Sequence, residues 1–281
     1  MIDMKQPIGV FDSGYGGLTI LSEMVAKLPQ YDYLYLGDNA RAPYGEQSFE
    51  TVYTYTLESV KWLFDQGCQL VILACNTASA KALRSIQQLD LPNIDPNRRV
   101  LGVIRPTAEV IGQYTQSGHV GVLGTRGTVR SESYLLEIEK FFPDIKVSQE
   151  ACPSWVSIVE RHLQSDPASL EGVRMHLDQL LGKDAEMDTI LLACTHYPLL
   201  MPLIREVLPD HIRVLAQGAL VAESLVGYLQ RHPNMEQRCS KGGNWTFYTT
   251  GSAADFDAHA SEFFGKPVQS IHLEGGLGHK F

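Results

Sequence analysis

Two cysteines stand at the ends of apolar runs, and each is followed at once by hydrogen-bonding residues. Val71–Ala80 reads VILACNTASA and Ile190–Leu200 reads ILLACTHYPLL. A thiol at such a junction can be simple packing, because cysteine is among the most buried residue types. It can equally be an acid/base group, since its ordinary pKa of about 8.5 lies nearer neutrality than that of lysine and a helix N-terminus lowers it further. One such cysteine leaves both readings open. Two in equivalent settings favour chemistry that needs a proton donor and a proton acceptor. Inverting a carbon that bears hydrogen is of this kind: a proton leaves one face and another arrives at the opposite face. At the α-carbon of an amino acid, donors must already point to where negative charge develops. The backbone N–H groups of Asn76, Thr77, Thr195 and His196 are candidates, and the side chains of Ser13, Asn76, Thr77 and Thr195 add hydrogen bonds without charge. Cys68, Cys152 and Cys239 have no twin and are read as structural.

The elements that must position these residues alternate between strand and helix. PIGVF is a short apolar strand ended by DSGYGG, and LTILSEMVAKL has helical periodicity up to Pro29. YDYLYLGD, QLVILAC, VLGVI, HVGVLGT, IKVSQEAC, DTILLAC, HIRVL and NWTFYTTG read as further strands. Helical patterns separate most of them. They include 49–66, 78–88, SESYLLEIEKFF with Ser131 as its N-cap, ASLEGVRMHLDQLLG and 217–230. This order implies parallel sheets covered by helices. LPNIDPNRR (91–99), rich in Pro, Asn and Asp, is the expected linker.

An internal repeat sharpens the picture. IGVFDSGYGG resembles VGVLGTRGTV, each a strand followed by a hydroxyl residue, Ser13 or Thr125, among glycines. VILACNTAS resembles ILLACTHYP at a nearly equal offset. The expected fold class is therefore α/β: two similar domains with mostly parallel sheets related by a pseudo-twofold. Ligands of such sheets sit beyond the carboxyl ends of the strands, so the two cysteines would meet in the cleft between the domains. The expected division is 1–97, 98–207, and a C-terminal segment 208–281.

Other residues keep two readings at this stage. DSGYGG is a turn or a phosphate loop, but it lacks the G-x-G-x-x-G spacing and a Walker lysine. His196 is a helix cap or core histidine, or a proton relay two residues after a thiol. Asp12 bonds loop amides, or tunes Cys75, whose pKa a nearby carboxylate would raise.

Composition limits the alternatives. The chain has 281 residues, 44% hydrophobic and 20% charged, with a formal net charge of −9. No Lys/Arg cluster forms a basic face, which argues against nucleic-acid binding. No apolar run approaches the length of a membrane span. The five cysteines show no paired C-x-x-C zinc pattern. With no signal peptide expected, free thiols fit a reducing cytoplasm.

GVFDSGYGGLTIL, GDNARAPYG, ILACNTASA, GVLGTRGTV, LLACTHYPLL and the late FYTTG, in this order, resemble the glutamate racemases of the aspartate/glutamate racemase family. The cysteine motifs alone are shared with aspartate racemases. Asp12-Ser13, Pro43-Tyr44-Gly45 and Thr195-His196 favour glutamate. The resemblance covers essentially the whole chain and implies two similar α/β domains, with the segment 208–281 returning to the first. It implies an isomerase that interconverts L- and D-glutamate with no cofactor and no metal, and supplies D-glutamate for peptidoglycan. It implies Cys75 and Cys194 as the acid/base pair, assisted by Asp12, His196 and Glu150. Asp12, Ser13, Tyr44, Gly45, Asn76, Thr77, Thr125, Thr195 and His196 would hold substrate. A homodimer is expected, with no nucleic-acid or membrane partner. The chain departs from the family pattern at Arg105 and Thr107 in GVIRPT, and at Ser157. An aspartate or other amino-acid racemase, or a protein that binds an amino acid without turnover, are the alternatives.

Overall fold

The computed structural model describes residues 6–277. Ten strands are present among them: β1 Ile8–Asp12, β2 Tyr33–Gly37, β3 Leu70–Leu73, β4 Arg99–Gly102, β5 His119–Gly124, β6 Lys146–Ala151, β7 Thr189–Ala193, β8 Arg213–Leu215, β9 Trp245–Thr249 and β10 Ser270–His272. They form two sheets, β10-β9-β2-β1-β3-β4 and β6-β5-β7-β8, and every pairing is parallel. Parallel neighbours require crossover connections, and helices covering both faces turn the strands into continuous apolar runs. β1 (IGVFD), β3 (LVIL) and β7 (TILLA) are buried at every position.

The side chains of these runs still alternate. Leu70 and Ile72 join one hydrophobic cluster, and Val71 and Leu73 join another on the opposite face. In β7, Ile190 and Leu192 belong to the first of these clusters, whereas Leu191 and Ala193 enter a third. One cluster thus takes side chains from both sheets, and each sheet keeps a separate core on its other face.

The sequence repeat is a repeat of topology. The order β2-β1-β3-β4 recurs as β6-β5-β7-β8, so β1 corresponds to β5 and β3 to β7. Equivalent loops therefore leave equivalent strand ends. Ser13 follows β1 as Thr125 follows β5, and Cys75 and Cys194 follow β3 and β7.

Three boundaries differ from expectation. The stretch 91–99 is not a linker: it holds a helical turn, Leu91–Ile94, and leads directly into β4, which pairs with β3 in the first sheet. The crossing to the second sheet comes after Gly102, so that sheet's body does not start at 98. Likewise β8 pairs with β7, so the return to the first sheet begins after residue 215 rather than at 208. The helix Gly218–Arg231 then packs on Leu18–Lys27, and β9 and β10 extend the first sheet beyond β2. The prolines and asparagine in 91–99 mark a tight turn, a signal that composition shares with true linkers. Ser131 does not cap the helix Ser133–Phe141, whose N-cap is Glu132; the Ser131 hydroxyl instead accepts from the backbone N–H of Ser133 at 3.2 Å. No helix among the described residues is long and apolar enough to cross a membrane.

Candidate active site

A cleft opens where the carboxyl ends of the two sheets face one another. Ser13, Gly14, Tyr44, Gly45, Cys75, Asn76 and Thr77 line it from the first sheet's side. Thr125, Val156, Glu160, Cys194, Thr195 and His196 line it from the second. Both cysteines are 6% exposed and all five are free thiols.

Each cysteine is held by its own turn. Cys75 precedes the helix Asn76–Lys81, and its Sγ accepts from the backbone N–H of Ala78 at 3.4 Å. Ser13 Oγ lies 3.6 Å from the same sulfur. Burial pushes the Cys75 thiol up to about 12, and the neighbouring Asp12 carboxylate adds to the rise. Cys75 therefore rests protonated. The second turn is different, because Cys194 is followed by only a short 3₁₀ turn, Tyr197–Leu200, before the helix Met201–Val207. Cys194 Sγ faces His196 Nδ1 at 4.0 Å, and His196 Nε2 lies 2.9 Å from Glu160 Oε1. Burial opposes a charge on His196, but the hydrogen bonds with Cys194 and Glu160 outweigh it and raise its pKa to about 10. Phe263 packs edge-on against this ring, at 5.3 Å between centroids.

Asp12 lies beneath the cleft, fully buried. One carboxylate oxygen accepts from the Gly14 N–H at 2.9 Å, and the other accepts from the Thr195 hydroxyl at 3.4 Å. Burial raises its pKa, against the pull of His196 and of the loop N–H groups. Asp12 thus ties the DSGYGG loop to the Thr195-His196 turn of the other body. Gly16 follows from that contact: a Cβ there would collide with Thr195 Oγ1 and the His196 ring.

The hydroxyls also meet across the cleft. Thr77 Oγ1 lies 2.9 Å from Thr125 Oγ1, and Thr125 caps the helix Arg126–Arg130 by accepting from Thr128 N–H at 3.2 Å. The loop carrying Tyr44 and Gly45 is fixed from behind by buried Asp38. Its carboxylate accepts from the Tyr44 hydroxyl, from Arg41 Nε at 2.7 Å and from Thr250 Oγ1 at 2.8 Å. Thr250 belongs to the FYTTG motif, so that motif serves the cleft through Asp38.

Two expectations need correction. Glu150 does not line the cleft. It sits on β6, where it accepts from Lys183 Nζ at 2.7 Å and pairs with His176 Nδ1 at 3.1 Å. The carboxylate that reaches the site is Glu160. Its helix, Ser154–Glu160, buries Trp155, Ile158 and Val159, which leaves Val156 and Glu160, four residues apart, together on another face. That spacing in PSWVSIVE was the available signal. Asn76 lines the cleft as expected, but its carboxamide is engaged behind the wall, with Gln217 and Tyr134.

Among the described residues, one group has metal-ligand types: His119, Asp184 and Glu186. Each ring nitrogen of His119 already faces a carboxylate, and Lys146 Nζ lies 3.0 Å from Asp184. This is an ion-pair cluster, and none of its members lines the cleft.

The profile of the Asp/Glu/Hydantoin racemase family matches residues 8–225. A glutamate racemase of Shouchella clausii is 38% identical over 278 residues, covering 98% of this chain and 97% of the relative. Among solved structures, a glutamate racemase isoform of Bacillus anthracis superposes with a TM-score of 0.87 at 32% identity, over 97% of this chain and 98% of that one. The glutamate racemase of Francisella tularensis, solved with D-glutamate, gives 0.86 at 29% identity, over 98% and 99%. With its duplicated parallel sheets and its matched cysteine turns, the chain belongs to the Asp/Glu/Hydantoin racemase family and is an isomerase.

Proposed function

We propose that this isomerase interconverts L- and D-glutamate by moving protons between the α-carbon and two thiols, Cys75 and Cys194. The observation that carries the reading is the placement of both cysteines, on topologically equivalent turns, at opposite walls of one small cleft. A planar carbanion between them can receive a proton on the face opposite to the one that lost it. The substrate assignment is supported by the names of the relatives and by the D-glutamate bound in the Francisella protein.

The two thiols start unequal. Cys75 is the protonated partner, held so by burial and Asp12. Cys194 is the partner that faces His196, whose charged form Glu160 favours. The roles reverse for the other enantiomer, as microscopic reversibility at one stereocentre requires. The hydroxyls of Ser13, Thr77, Thr125 and Thr195, with the Tyr44-Gly45 loop, hold the substrate's carboxylates and amino group without placing a second cation at the reacting carbon. In the cell this reaction supplies D-glutamate to peptidoglycan synthesis from the cytoplasm.

The purified protein incubated with L-glutamate, L-aspartate or L-alanine and resolved by chiral chromatography tests the reading. D-Glutamate formation alone supports it. Turnover of aspartate only, or binding of glutamate without inversion, would overturn it.

A further inference from the structure

Behind the wall of the cleft, Asn76, Gln217 and Tyr134 close a ring of hydrogen bonds. Asn76 Nδ2 donates to Gln217 Oε1 at 2.8 Å, Gln217 Nε2 donates to the Tyr134 hydroxyl at 2.6 Å, and that hydroxyl donates to Asn76 Oδ1. All three are buried: Asn76 and Gln217 are 2% exposed and Tyr134 is fully covered. The ring is directional, so it fixes both amides in one orientation. A flip of Gln217 would set donor against donor, and a flip of Asn76 would set acceptor against acceptor.

Gln217 has further partners. Its Nε2 faces Thr107 Oγ1 at 3.0 Å and the Val103 carbonyl at 3.2 Å, and the Thr107 hydroxyl donates to the same carbonyl. Their places in the chain give the arrangement its meaning. Among the described residues the chain crosses between the two sheets twice, once after β4 and once after β8. Val103 and Thr107 stand on the first crossing and Gln217 on the second. The two crossings are therefore bonded to each other at the point that also grips the residue next to Cys75. Tyr134 adds an anchor from the helix Ser133–Phe141, which packs with the second sheet.

We infer that Gln217 is a positioning residue, with Thr107 and Tyr134 as its supports. It acts through Asn76 to set where the Cys75 turn stands relative to the body that carries Cys194. Gln217, Thr107 and Tyr134 do not line the cleft. Their effect is on the geometry of one of two proton transfers. Because the ring holds Asn76, next to Cys75, and no neighbour of Cys194, loosening it slows the step at Cys75 more than the step at Cys194.

The inference rests on the two-thiol reading, and the test separates the two. Gln217→Met keeps the length of the side chain and removes its polar atoms. Thr107→Val removes the hydroxyl and keeps the shape, Thr107→Ser restores it, and Tyr134→Phe opens the ring. For each, kcat and KM are measured with both enantiomers, together with the isotope effect on kcat from α-deuterated L- and D-glutamate, circular dichroism and Tm. Gln217→Met is expected to lose about tenfold to a hundredfold in kcat, the scale of a displaced reacting group, with a smaller change in KM. The isotope effects for the two enantiomers should diverge relative to the wild type. Thr107→Val and Tyr134→Phe should move the same ratio in the same sense, and Thr107→Ser should return it. A structural role alone would lower Tm and leave the ratio of isotope effects at its wild-type value. That result in the folded variants, or unchanged kcat in Gln217→Met, overturns the inference. If Gln217→Met fails to fold, Thr107→Val and Tyr134→Phe decide by the same ratio. Cys75→Ser turning over at the wild-type rate would instead remove the two-thiol reading itself.

Discussion

His196 and Glu160 lie in ion-pair contact, Nε2 to Oε1 at 2.9 Å, and the other ring nitrogen of His196 faces the Cys194 sulfur. His196 is 5% exposed, so a charge on it depends on these partners. Burial alone would lower its pKa, and the two hydrogen bonds reverse that and bring it to about 10. Replacing Glu160 by Gln removes the fixed negative charge and lets burial count for more. The His196 pKa should fall, and the alkaline limb of the kcat profile should move to lower pH. Rate at the optimum should fall by about a hundredfold, the lower end of what a positioned acid/base group contributes. A profile that overlays the wild type would exclude Glu160 from tuning His196.

The same pair makes stability depend on pH. A histidine whose folded pKa lies above its unfolded value of about 6.5 stabilises the fold through its charged form. That contribution is complete below about pH 6.5 and is lost as pH rises through about 10. Tm should therefore decline over this window, and the decline should be shallower in Glu160→Gln. Thermal melts at closely spaced pH values check it.

Cys75 should be slow to alkylate. With its thiol pushed up to about 12, only about one molecule in ten thousand carries the thiolate at pH 8, against about one in four for an unperturbed cysteine. Asp12→Asn removes the nearby negative charge and should speed iodoacetamide labelling of Cys75, read peptide by peptide by mass spectrometry. Labelling of Cys75 as fast as a free thiol in the wild type would contradict the picture.

Gly16 is where loop and site approach most closely. A methyl group there meets Thr195 Oγ1 and His196 Nδ1, and neither can retreat without losing its contact to Asp12 or Cys194. Gly16→Ala is expected to cost about 1–3 kcal/mol of stability, the usual cost of forcing extra volume into a packed region, and to depress kcat beyond what the unfolded fraction explains. Denaturant melts combined with kcat per folded molecule measure both.

Glu150→Gln should leave kcat unchanged, because Glu150 bonds Lys183 and His176 and is absent from the cleft. A large loss of kcat without loss of fold would reinstate it.

That correction marks where sequence reading reached its end. The two cysteines, Ser13 and Thr125 were legible because they follow buried apolar strands whose repeat places them at equivalent sheet positions. Tyr44 and Gly45 came with a motif, although the buried carboxylate that holds Tyr44, Asp38, stood unassigned inside the same motif. Glu160 was hidden because its helix is short, seven residues, and its register shows only once Trp155, Ile158 and Val159 are known to be buried. Gln217 and Tyr134 had no local signal at all. A polar residue at a helix start and a tyrosine in an amphipathic helix look like surface and core respectively. Only the crossing of the chain brings them to Asn76. The domain limits failed for a related reason, because strand pairing, and not composition, decides which sheet owns β4 and β8.

The most direct test of the two-thiol account is turnover of L-glutamate in D₂O, followed at low conversion by proton NMR after separation of the enantiomers. Two exchangeable thiols on opposite faces should place deuterium at the α-carbon of nearly all D-glutamate formed, while the remaining L-glutamate keeps its α-proton. D-Glutamate that retains the original α-proton would mean that one group carries the proton from face to face, and would contradict the account.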